Sequence, residues 1–284
     1  MDPKSNPPKT LQPYLFHGLE LVWQEGDERA GATCPWCERE GHFSIQIATG
    51  QWRCLGCGTG TDKGGGNIST FLNLLWSHSS ESTSTQAYQR LEHNRGLAAP
   101  TLVQWGAVVS QLTHDWLIPG YNLEGKLGQL YRWQSGGQLR ATWGLQHHLI
   151  GMPLYDPVLS DVYLCEGPWD AMRLWEAFRV KRQEVNVLGI PGATTFRDCW
   201  LPLFAGKRVA ICYDNDYRTK KGKEDYAGLQ GMRRVARLLA GAEHPPAEIL
   251  YLRWSELGYR TDLPSGFDVR DICNARPEFD FPPG

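Results

Sequence analysis

The stretch Asp161–Phe178, DVYLCEGPWDAMRLWEAF, decides the fold class of this chain. Its apolar start, VYL, is typical of a buried strand, and the EGP that follows ends the strand. Ala171–Phe178 then has the pattern of a helix. Ligands of open α/β sheets bind beyond the carboxyl ends of the strands, so Glu166 is placed at a candidate binding edge. Asp170 falls in or near the first turn of the helix.

A second stretch repeats this plan. Arg208–Tyr213, RVAICY, has the pattern of a strand, and Asp214-Asn215-Asp216 follows at its tip. Three carboxylates, those of Glu166, Asp214 and Asp216, are then expected to converge on one spot. Hard oxygen ligands in this number suit Mg²⁺ or Mn²⁺, which also bind substrate phosphates. Either motif alone is equally compatible with a capped turn or a surface loop, but the two together favour a metal site.

This pair of motifs resembles the TOPRIM domain, which places a Glu-Gly after its first strand and an Asp-x-Asp after a later one. The glycine-bearing loop Gly189–Thr195, GIPGATT, extends the resemblance. TOPRIM domains occur in primases, topoisomerases, some nucleases and recombination mediators. The resemblance therefore implies a fold and a metal, and it leaves the reaction open.

A four-cysteine array lies nearer the start of the chain. It has the form CxxC–x₁₆–CxxC and consists of Cys34, Cys37, Cys54 and Cys57. This spacing predicts a zinc ribbon, with two strands between the knuckles at His42–Ala48 and Gln51–Arg53. Such a small module depends on its metal for much of its folding energy. The alternative is two redox or buried CxxC pairs. The other cysteines lie in apolar contexts and are predicted core thiols: Cys165, Cys199, Cys212 and Cys273.

The composition limits the class of protein. A length of 284 residues suggests about two domains, and 41% hydrophobic with 21% charged residues is typical of a globular chain. The net charge of −2 gives no general basic character, so any contact with nucleic acid must come from a local patch. No apolar run is long enough to span a membrane, and no signal peptide opens the chain. The protein is expected to be soluble and cytoplasmic, with no membrane partner.

The middle of the chain supplies the remaining segments. Gly64-Gly65-Gly66-Asn67 leads into an apolar helix, Ile68–Trp76, with Asn67 as its predicted N-cap. No GxxxxGK[ST] motif occurs, which argues against a P-loop motor. The polar run Ser77–Gln86 is the predicted domain boundary. Further helices are predicted at Ala87–Asn94 and Ala98–Trp105, and strands at Asp115–Pro119, Lys126–Trp133 and Arg140–Trp143.

The order of these segments is similar to that of DnaG-type primases of bacteria and phages. The ribbon is followed by the glycine-led helix, the RGL segment from Arg95, a strand pair, the GMPLY run from Gly151 and the TOPRIM motifs. The likeness runs from Leu11 to about Cys273. The sequence contains no recognisable helicase or helicase-binding domain. A stand-alone primase and a fragment of a larger protein therefore both remain open, and a separate replicative helicase is the expected partner.

The resemblance implies an α/β fold, with a TOPRIM-type α/β catalytic core preceded by a small zinc-ribbon β module. The implied domains are a disordered lead-in (1–10), a zinc-ribbon template-binding domain (11–76), a linker (77–86), the N-terminal part of the RNA polymerase core (87–160), a TOPRIM domain (161–260) and a closing segment (261–284).

The implied function is that of a DNA primase, which joins ribonucleoside triphosphates into short RNA primers on single-stranded DNA. Glu166, Asp214 and Asp216 would hold magnesium or manganese. Asp170 and Asp268 would support them or bind a second ion, and we favour Asp268 over its neighbour Asp271. Zinc would be structural.

The resemblance and the local chemistry also suggest contacts to template or nucleotide. These are Lys126, Arg132 and Arg140, the basic loop residues Lys220, Lys221 and Lys223, and the ribbon residues Trp36, His42, Trp52 and Arg53. Bases of a single strand are expected to stack on Trp52. Phe43 is expected to belong to the ribbon's own core.

Two other classes of function compete with a primase. A TOPRIM nuclease uses the same carboxylates. A RecR-like mediator joins a four-cysteine zinc site to a TOPRIM domain without catalysis, but such proteins are shorter and lack a module like Leu97–Tyr155. A topoisomerase needs a much larger DNA gate than this chain provides.

Overall fold

The computed structural model describes residues 7–57, 64–134, 137–215, 227–252, 254, 266–276 and 281. The α-helices are α1 (Gln12–Phe16), α2 (Ile68–Ser82), α3 (Thr85–Arg95), α4 (Ala99–Gln104), α5 (Pro168–Val180), α6 (Ala227–Ala240) and α7 (Val269–Ala275). The strands are β1 (Arg29–Ala32), β2 (Phe43–Gln46), β3 (Trp52–Cys54), β4 (Gly65–Gly66), β5 (Val108–Val109), β6 (Trp116–Tyr121), β7 (Leu127–Trp133), β8 (Leu139–Arg140), β9 (Asp161–Cys165), β10 (Asn186–Gly189), β11 (Arg208–Cys212) and β12 (Glu248–Tyr251).

The chain folds into two compact units. The first unit comprises residues 1–84, 106–120 and 126–147, and the second comprises residues 85–105, 121–125 and 148–284. No helix in the described part of the chain combines the length and the apolar character that a membrane span requires.

The first unit opens with an antiparallel sheet of order β1-β2-β3-β4. Residues alternate along β2, so that Phe43 and Ile45 face inward and are fully buried. The ring of Phe43 stacks on Trp52, with centroids 5.2 Å apart and an interplanar angle of 12°. Phe71 from α2 packs edge-on against Phe43. This aromatic group is the core of the predicted ribbon, and it confirms that Phe43 is a core residue.

Helix α2 begins where the sequence predicted and ends later. The side chain of Asn67 accepts a hydrogen bond from the Thr70 amide at 3.1 Å, which confirms the N-cap. The helix continues to Ser82, through much of the polar run expected to be a linker. Ser79 explains this difference because it is buried, and its Oγ accepts from the Gln111 amide at 3.3 Å. Packing against β5 and β7 thus keeps a serine-rich segment helical. A second sheet of this unit has the order β5-β6-β7-β8.

The second unit contains a four-stranded parallel sheet of order β10-β9-β11-β12. Side chains of β9 alternate between two covered faces. On one face, Val162 and Leu164 belong to a core that includes Val235 of α6. On the other face, Tyr163 packs against Phe178 of α5, with ring centroids 4.6 Å apart. Strands buried on both faces are continuously apolar, which is why β9 was recognisable as a strand.

The strand order reverses direction beside β9. The chain passes from β9 to β10 on one side, and then to β11 on the other side. The carboxyl ends of β9 and β11 therefore form a topological switch point, which is where ligands of such sheets bind.

The glycine-bearing loop after β10 packs closely against α6. A Cβ atom on Gly231 would lie 2.7 Å from the Ala193 carbonyl oxygen and 2.9 Å from the Ala193 Cβ. The guanidinium of Arg234, also on α6, donates to the Thr194 carbonyl at 3.0 Å. The loop is thus held by close backbone approach at a position where only glycine fits.

Gly231→Ala should therefore destabilise the protein. In an unobstructed helix, Gly→Ala stabilises by roughly 0.5–1 kcal/mol. Here the new methyl group collides with Ala193, and we expect a loss of about 1–3 kcal/mol in the free energy of unfolding. Unfolding by denaturant measures this change in the free energy of unfolding. Gly31→Ala is the control, because a Cβ at Gly31 meets no atom within 4 Å. Equal stability of the Gly231→Ala variant and the wild type would contradict this packing.

Candidate functional site

The four predicted zinc ligands converge in the first unit. The Sγ atoms of Cys34, Cys37, Cys54 and Cys57 all lie within 4.8 Å of one another. Two of the pairs, Cys34–Cys57 and Cys37–Cys54, are 3.5 Å apart. A tetrahedral zinc with Zn–S bonds of about 2.3 Å separates its sulfurs by about 3.8 Å. The donor set and its dimensions therefore fit one structural zinc ion.

The second knuckle depends on Gly56. Its amide donates to the Cys54 Sγ at 3.3 Å, and a Cβ at this position would lie 2.8 Å from the Cys37 Sγ. Burial raises the pKa of Cys34 to about 11, whereas a hydrogen bond from the Arg39 backbone lowers the pKa of Cys37 to about 7. Four adjacent thiols cannot all ionise without a cation, so zinc binding must release protons.

One zinc ion per chain is the expected metal content. Elemental analysis after gel filtration should show a ratio of about one for the wild type. Cys54→Ser should lose the zinc. Gly56→Ala should bind zinc more weakly, because the new methyl group displaces the Cys37 sulfur. Cys199→Ser is the control, since Cys199 is exposed and does not belong to the four-cysteine cluster. Full zinc retention in a Cys34→Ser, Cys54→Ser double variant would rule the site out.

Exposed Cys199 also corrects the expectation that all four remaining cysteines are core thiols. That expectation holds for Cys165, Cys212 and Cys273, which are buried.

The ribbon aromatics differ in their exposure. Trp52 is only 2% exposed, and its Nε1 donates to the Asn67 carbonyl at 2.9 Å. The expectation that bases stack on Trp52 is therefore wrong, because the side chain is buried and its ring stacks on Phe43. Trp36 and His42 are half-buried, and Arg53 is exposed.

The carboxylate edge of the second unit is formed by β9 and β11. Their last residues, Cys165 and Cys212, are paired in register, so Glu166 and Asp214 follow neighbouring strand ends. The Asp214 amide donates to Glu166 Oε2 at 3.4 Å. A Cβ on Gly228 would lie 2.5 Å from the Asp214 carbonyl oxygen, so α6 begins directly against this turn. Of the expected metal ligands, Glu166 and Asp214 are thus brought together, while Asp216 lies outside the described residues.

Two more carboxylates meet beside this edge. Asp170 stands in the first turn of α5 and is buried, and Asp268 is the N-cap of α7. Asp268 Oδ1 accepts from the Asp271 amide at 2.8 Å, in a capping box with Asp271. The Arg270 amide donates to Asp170 Oδ1 at 3.4 Å. Helix α7 thereby brings the Asp268 carboxyl into hydrogen-bond contact with that of Asp170.

Burial raises the pKa values of both carboxyl groups of this pair. Burial is the main cause for Asp170, with the nearby Arg270 acting in the opposite direction. For Asp268, burial and then the charge of Asp170 raise the pKa to about 8. The two carboxyl groups therefore share a proton near neutral pH, as coupled buried carboxylates do.

This coupling predicts a pH dependence of stability. The pKa of Asp268 rises from 3.8 to about 8 on folding, so the folded state binds the extra proton between about pH 4 and pH 8. The stabilisation of the folded state by this proton is complete below about pH 4 and is lost as the pH rises to about 8. Without added divalent cation, the wild type should therefore lose stability relative to Asp268→Asn between pH 5 and 8.5. Asparagine keeps the N-cap, and parallel unfolding curves across that range would contradict the shared proton.

Two arginines complete the site, and sequence reasoning gave neither of them a role. Arg270 Nη2 donates to Asp268 Oδ2 at 3.0 Å. The guanidinium of Arg95 lies over the Trp169 ring at 5.6 Å, and its charge interacts with Asp268, Asp170 and Asp271. Arg270 is two residues after Asp268, and Arg95 is the first residue of the RGL segment. Their positions in the sequence do not show that both arginines lie beside the same carboxylates.

The predicted basic contacts have varied positions. Arg132 is engaged inside the first unit. Its Nε donates to Asp115 Oδ2 at 2.9 Å, its Nη1 binds the Phe16 carbonyl, and its guanidinium covers the Phe16 ring. These contacts hold β7 against α1 and give Arg132 a structural role, while its contact with nucleotide or template stays a prediction. Lys126 and Arg140 are exposed. Lys220, Lys221 and Lys223 lie outside the described residues.

Comparison with known proteins identifies the fold. No protein-family model and no curated protein matches the chain. Among solved structures, the RNA polymerase domain of Mycobacterium tuberculosis primase DnaG is similar, with 10% identity, a TM-score of 0.52, and coverage of 74% of this chain and 79% of that one. The DnaG primase catalytic domain bound to single-stranded DNA has 11% identity, a TM-score of 0.52 and coverages of 73% and 76%.

The DnaG catalytic core is a third similar structure, with 14% identity, a TM-score of 0.51 and coverages of 73% and 74%. At these identities the likeness concerns the fold. The predicted α/β class is confirmed: the chain has a mixed α/β fold similar to primase catalytic cores, together with a four-cysteine module.

Proposed function

We propose that this chain is a DNA primase of the DnaG type, which synthesises short RNA primers on a single-stranded DNA template. The observation that supports this most strongly is the position of Glu166 and Asp214. They lie at the switch point of a parallel sheet, in a fold similar to DnaG catalytic cores. One of those similar structures holds single-stranded DNA, which is the template class proposed here.

In this proposal residues 161–260 form a TOPRIM domain, and residues 11–76 form a zinc domain that contacts the template. Residues 87–160 complete the polymerase core. The in-register strand ends of β9 and β11 support the first assignment, and the convergent cysteines support the second.

Glu166 and Asp214 are the residues that would hold a divalent cation, together with Asp216. Their carboxylate oxygens are the hard donors that Mg²⁺ and Mn²⁺ prefer, and the contact between the Asp214 amide and Glu166 fixes the Glu166 side chain beside Asp214. When bound, such a cation neutralises charge on a triphosphate and on an attacking 3′-oxygen. Without it, carboxylates at this edge would repel both the triphosphate and the DNA backbone.

The reaction joins a 3′-hydroxyl to the α-phosphorus of an incoming ribonucleoside triphosphate, and pyrophosphate leaves. The contribution of the chain is mainly positioning and charge. Arg234 and Gly231 hold the Gly189–Thr195 loop on α6, and Gly228 lets α6 start directly behind Asp214. This packing keeps the Asp214 turn in one place.

Asp214→Ala and Glu166→Gln should each lower primer synthesis by about 100-fold or more, because either change removes a ligand of the ion that stabilises the transition state. The assay contains purified protein, single-stranded DNA, Mg²⁺ or Mn²⁺ and labelled ribonucleotides. Binding of single-stranded DNA should persist in both variants. Zinc content should not change, since the four cysteines lie in the other unit.

Asp161→Asn is the matched control. Asp161 lies at the amino end of the same strand, β9, beside Arg208 at 3.5 Å. It is a carboxylate in the same unit but at the opposite edge of the sheet, so its variant should retain the wild-type rate. A folded Asp214→Ala protein that still makes primers at the wild-type rate would disprove the mechanism. Cleavage of the DNA instead of primer synthesis would favour a nuclease, and binding alone would favour a mediator.

A further inference from the structure

The acid cluster beside the proposed metal site consists of Asp170, Asp268 and Asp271, and it contains a cation supplied by the chain itself. Arg270 Nη2 lies 3.0 Å from Asp268 Oδ2 and 3.7 Å from Asp271 Oδ1. The side chains of Arg270 and Asp268 are only 18% and 13% exposed, so solvent screens this ion pair weakly. A guanidinium remains charged at any physiological pH, which makes it a permanent cation here.

A second guanidinium faces the same carboxylates. Arg95, at the end of α3, is partly buried over the Trp169 ring, and the charges of Asp268, Asp170 and Asp271 all attract it. Two arginines from different segments of the second unit thus supply positive charge beside three carboxyl groups. The cluster has its counter-charge without any bound ion.

Each carboxylate oxygen of Asp268 accepts a hydrogen bond from helix α7. Oδ1 accepts from the Asp271 amide at 2.8 Å, and Oδ2 accepts from Arg270 at 3.0 Å. A divalent cation bound to this carboxylate would lie close to the guanidinium of Arg270, and the two positive charges would repel each other. Both hydrogen bonds are local, because they link residues within one turn of helix α7.

We propose that Arg270, assisted by Arg95, takes the position of a second divalent cation, so that this protein binds one such ion, through Glu166 and Asp214. Asp268 is then a positioning residue, which holds α7 and Asp170 in place, and is not a metal ligand. This inference rests on the metal site of the proposed function. It revises the expectation from sequence that Asp170 and Asp268 support or bind a second ion.

The consequence is a site whose acid cluster keeps its geometry whether or not the ion is bound. Without the two guanidinium groups, the carboxylates of the cluster would lack a counter-charge in the ion-free protein. Because the guanidinium is part of the chain, it balances the negative charge of the carboxylates at any concentration of free Mg²⁺.

Mn²⁺ binding to the full chain, loaded with zinc and without nucleotide, tests the proposal. Calorimetry or the spin-resonance signal of free Mn²⁺ should show one bound ion for the wild type. Arg270→Gln should bind a second Mn²⁺, because it removes the guanidinium that lies 3.0 Å from the Asp268 carboxylate. Arg270→Lys keeps the charge and should bind one. Arg233→Gln is the control for the loss of a surface charge, since Arg233 is exposed on α6, and it should also bind one.

Carboxylate variants give an independent readout. Asp268→Asn in the wild-type background should change the Mn²⁺ dissociation constant by no more than about threefold, whereas Glu166→Gln should raise it more than about tenfold. In the Arg270→Gln background, Asp268→Asn should remove the second ion. Mn²⁺ should also raise the melting temperature of Arg270→Gln more than that of the wild type.

The proposal is overturned if Arg270→Gln still binds a single ion, or if Asp268→Asn weakens the binding of Mn²⁺ as much as Glu166→Gln does. Should Arg270→Gln be unfolded without added cation, recovery of its helical signal by Mn²⁺ supports the exchange of cations, and no recovery counts against it. Absence of Mn²⁺ binding to the wild type would remove both this inference and the proposed metal site. The expected Mn²⁺ pattern in a protein that makes no primers would contradict the proposed function alone.

Discussion

Repulsion between carboxylates at one edge of a parallel sheet is the constraint on which the second unit depends. The in-register ends of β9 and β11 place Glu166 and Asp214 side by side, and α5 and α7 add Asp170 and Asp268. Buried like charges at such distances cannot all remain ionised without compensation. A shared proton, two guanidinium groups and a proposed divalent ion are three forms of that compensation.

The small module of strands β1 to β4 in the first unit meets a different constraint. Its antiparallel sheet has short strands, and its core is a small group of aromatic rings around Trp52 and Phe43. Such a module buries too little surface to fold on apolar contacts alone, so the four-cysteine cluster must contribute. The need for a core also explains why Trp52 is unavailable to a ligand: the module has no other residue of that size on β3.

The features recognised from sequence were local ones. Strands β9 and β11 were recognisable because strands covered on both faces are continuously apolar, and the cysteine array because metal ligands need fixed spacing. Strands β10 and β12 were missed because each is only four residues long, which is too short for a periodic pattern to show. The polar run that includes Ser79 was expected to be a linker, since propensity does not reveal that a serine is buried by packing.

By itself, the sequence determined the α/β class, the zinc ligands and the two strand tips that carry Glu166 and Asp214, because each is written in a run of neighbouring residues. Only the tertiary structure decided that Arg95 and Arg270 enter the acid cluster, that Asp170 touches Asp268, and that Arg132 is used internally. Several of the contacts join residues that are far apart in the sequence: Arg270 is 100 positions from Asp170, and Arg132 is 116 positions from Phe16. Chain folding sets such distances, and no local pattern encodes them.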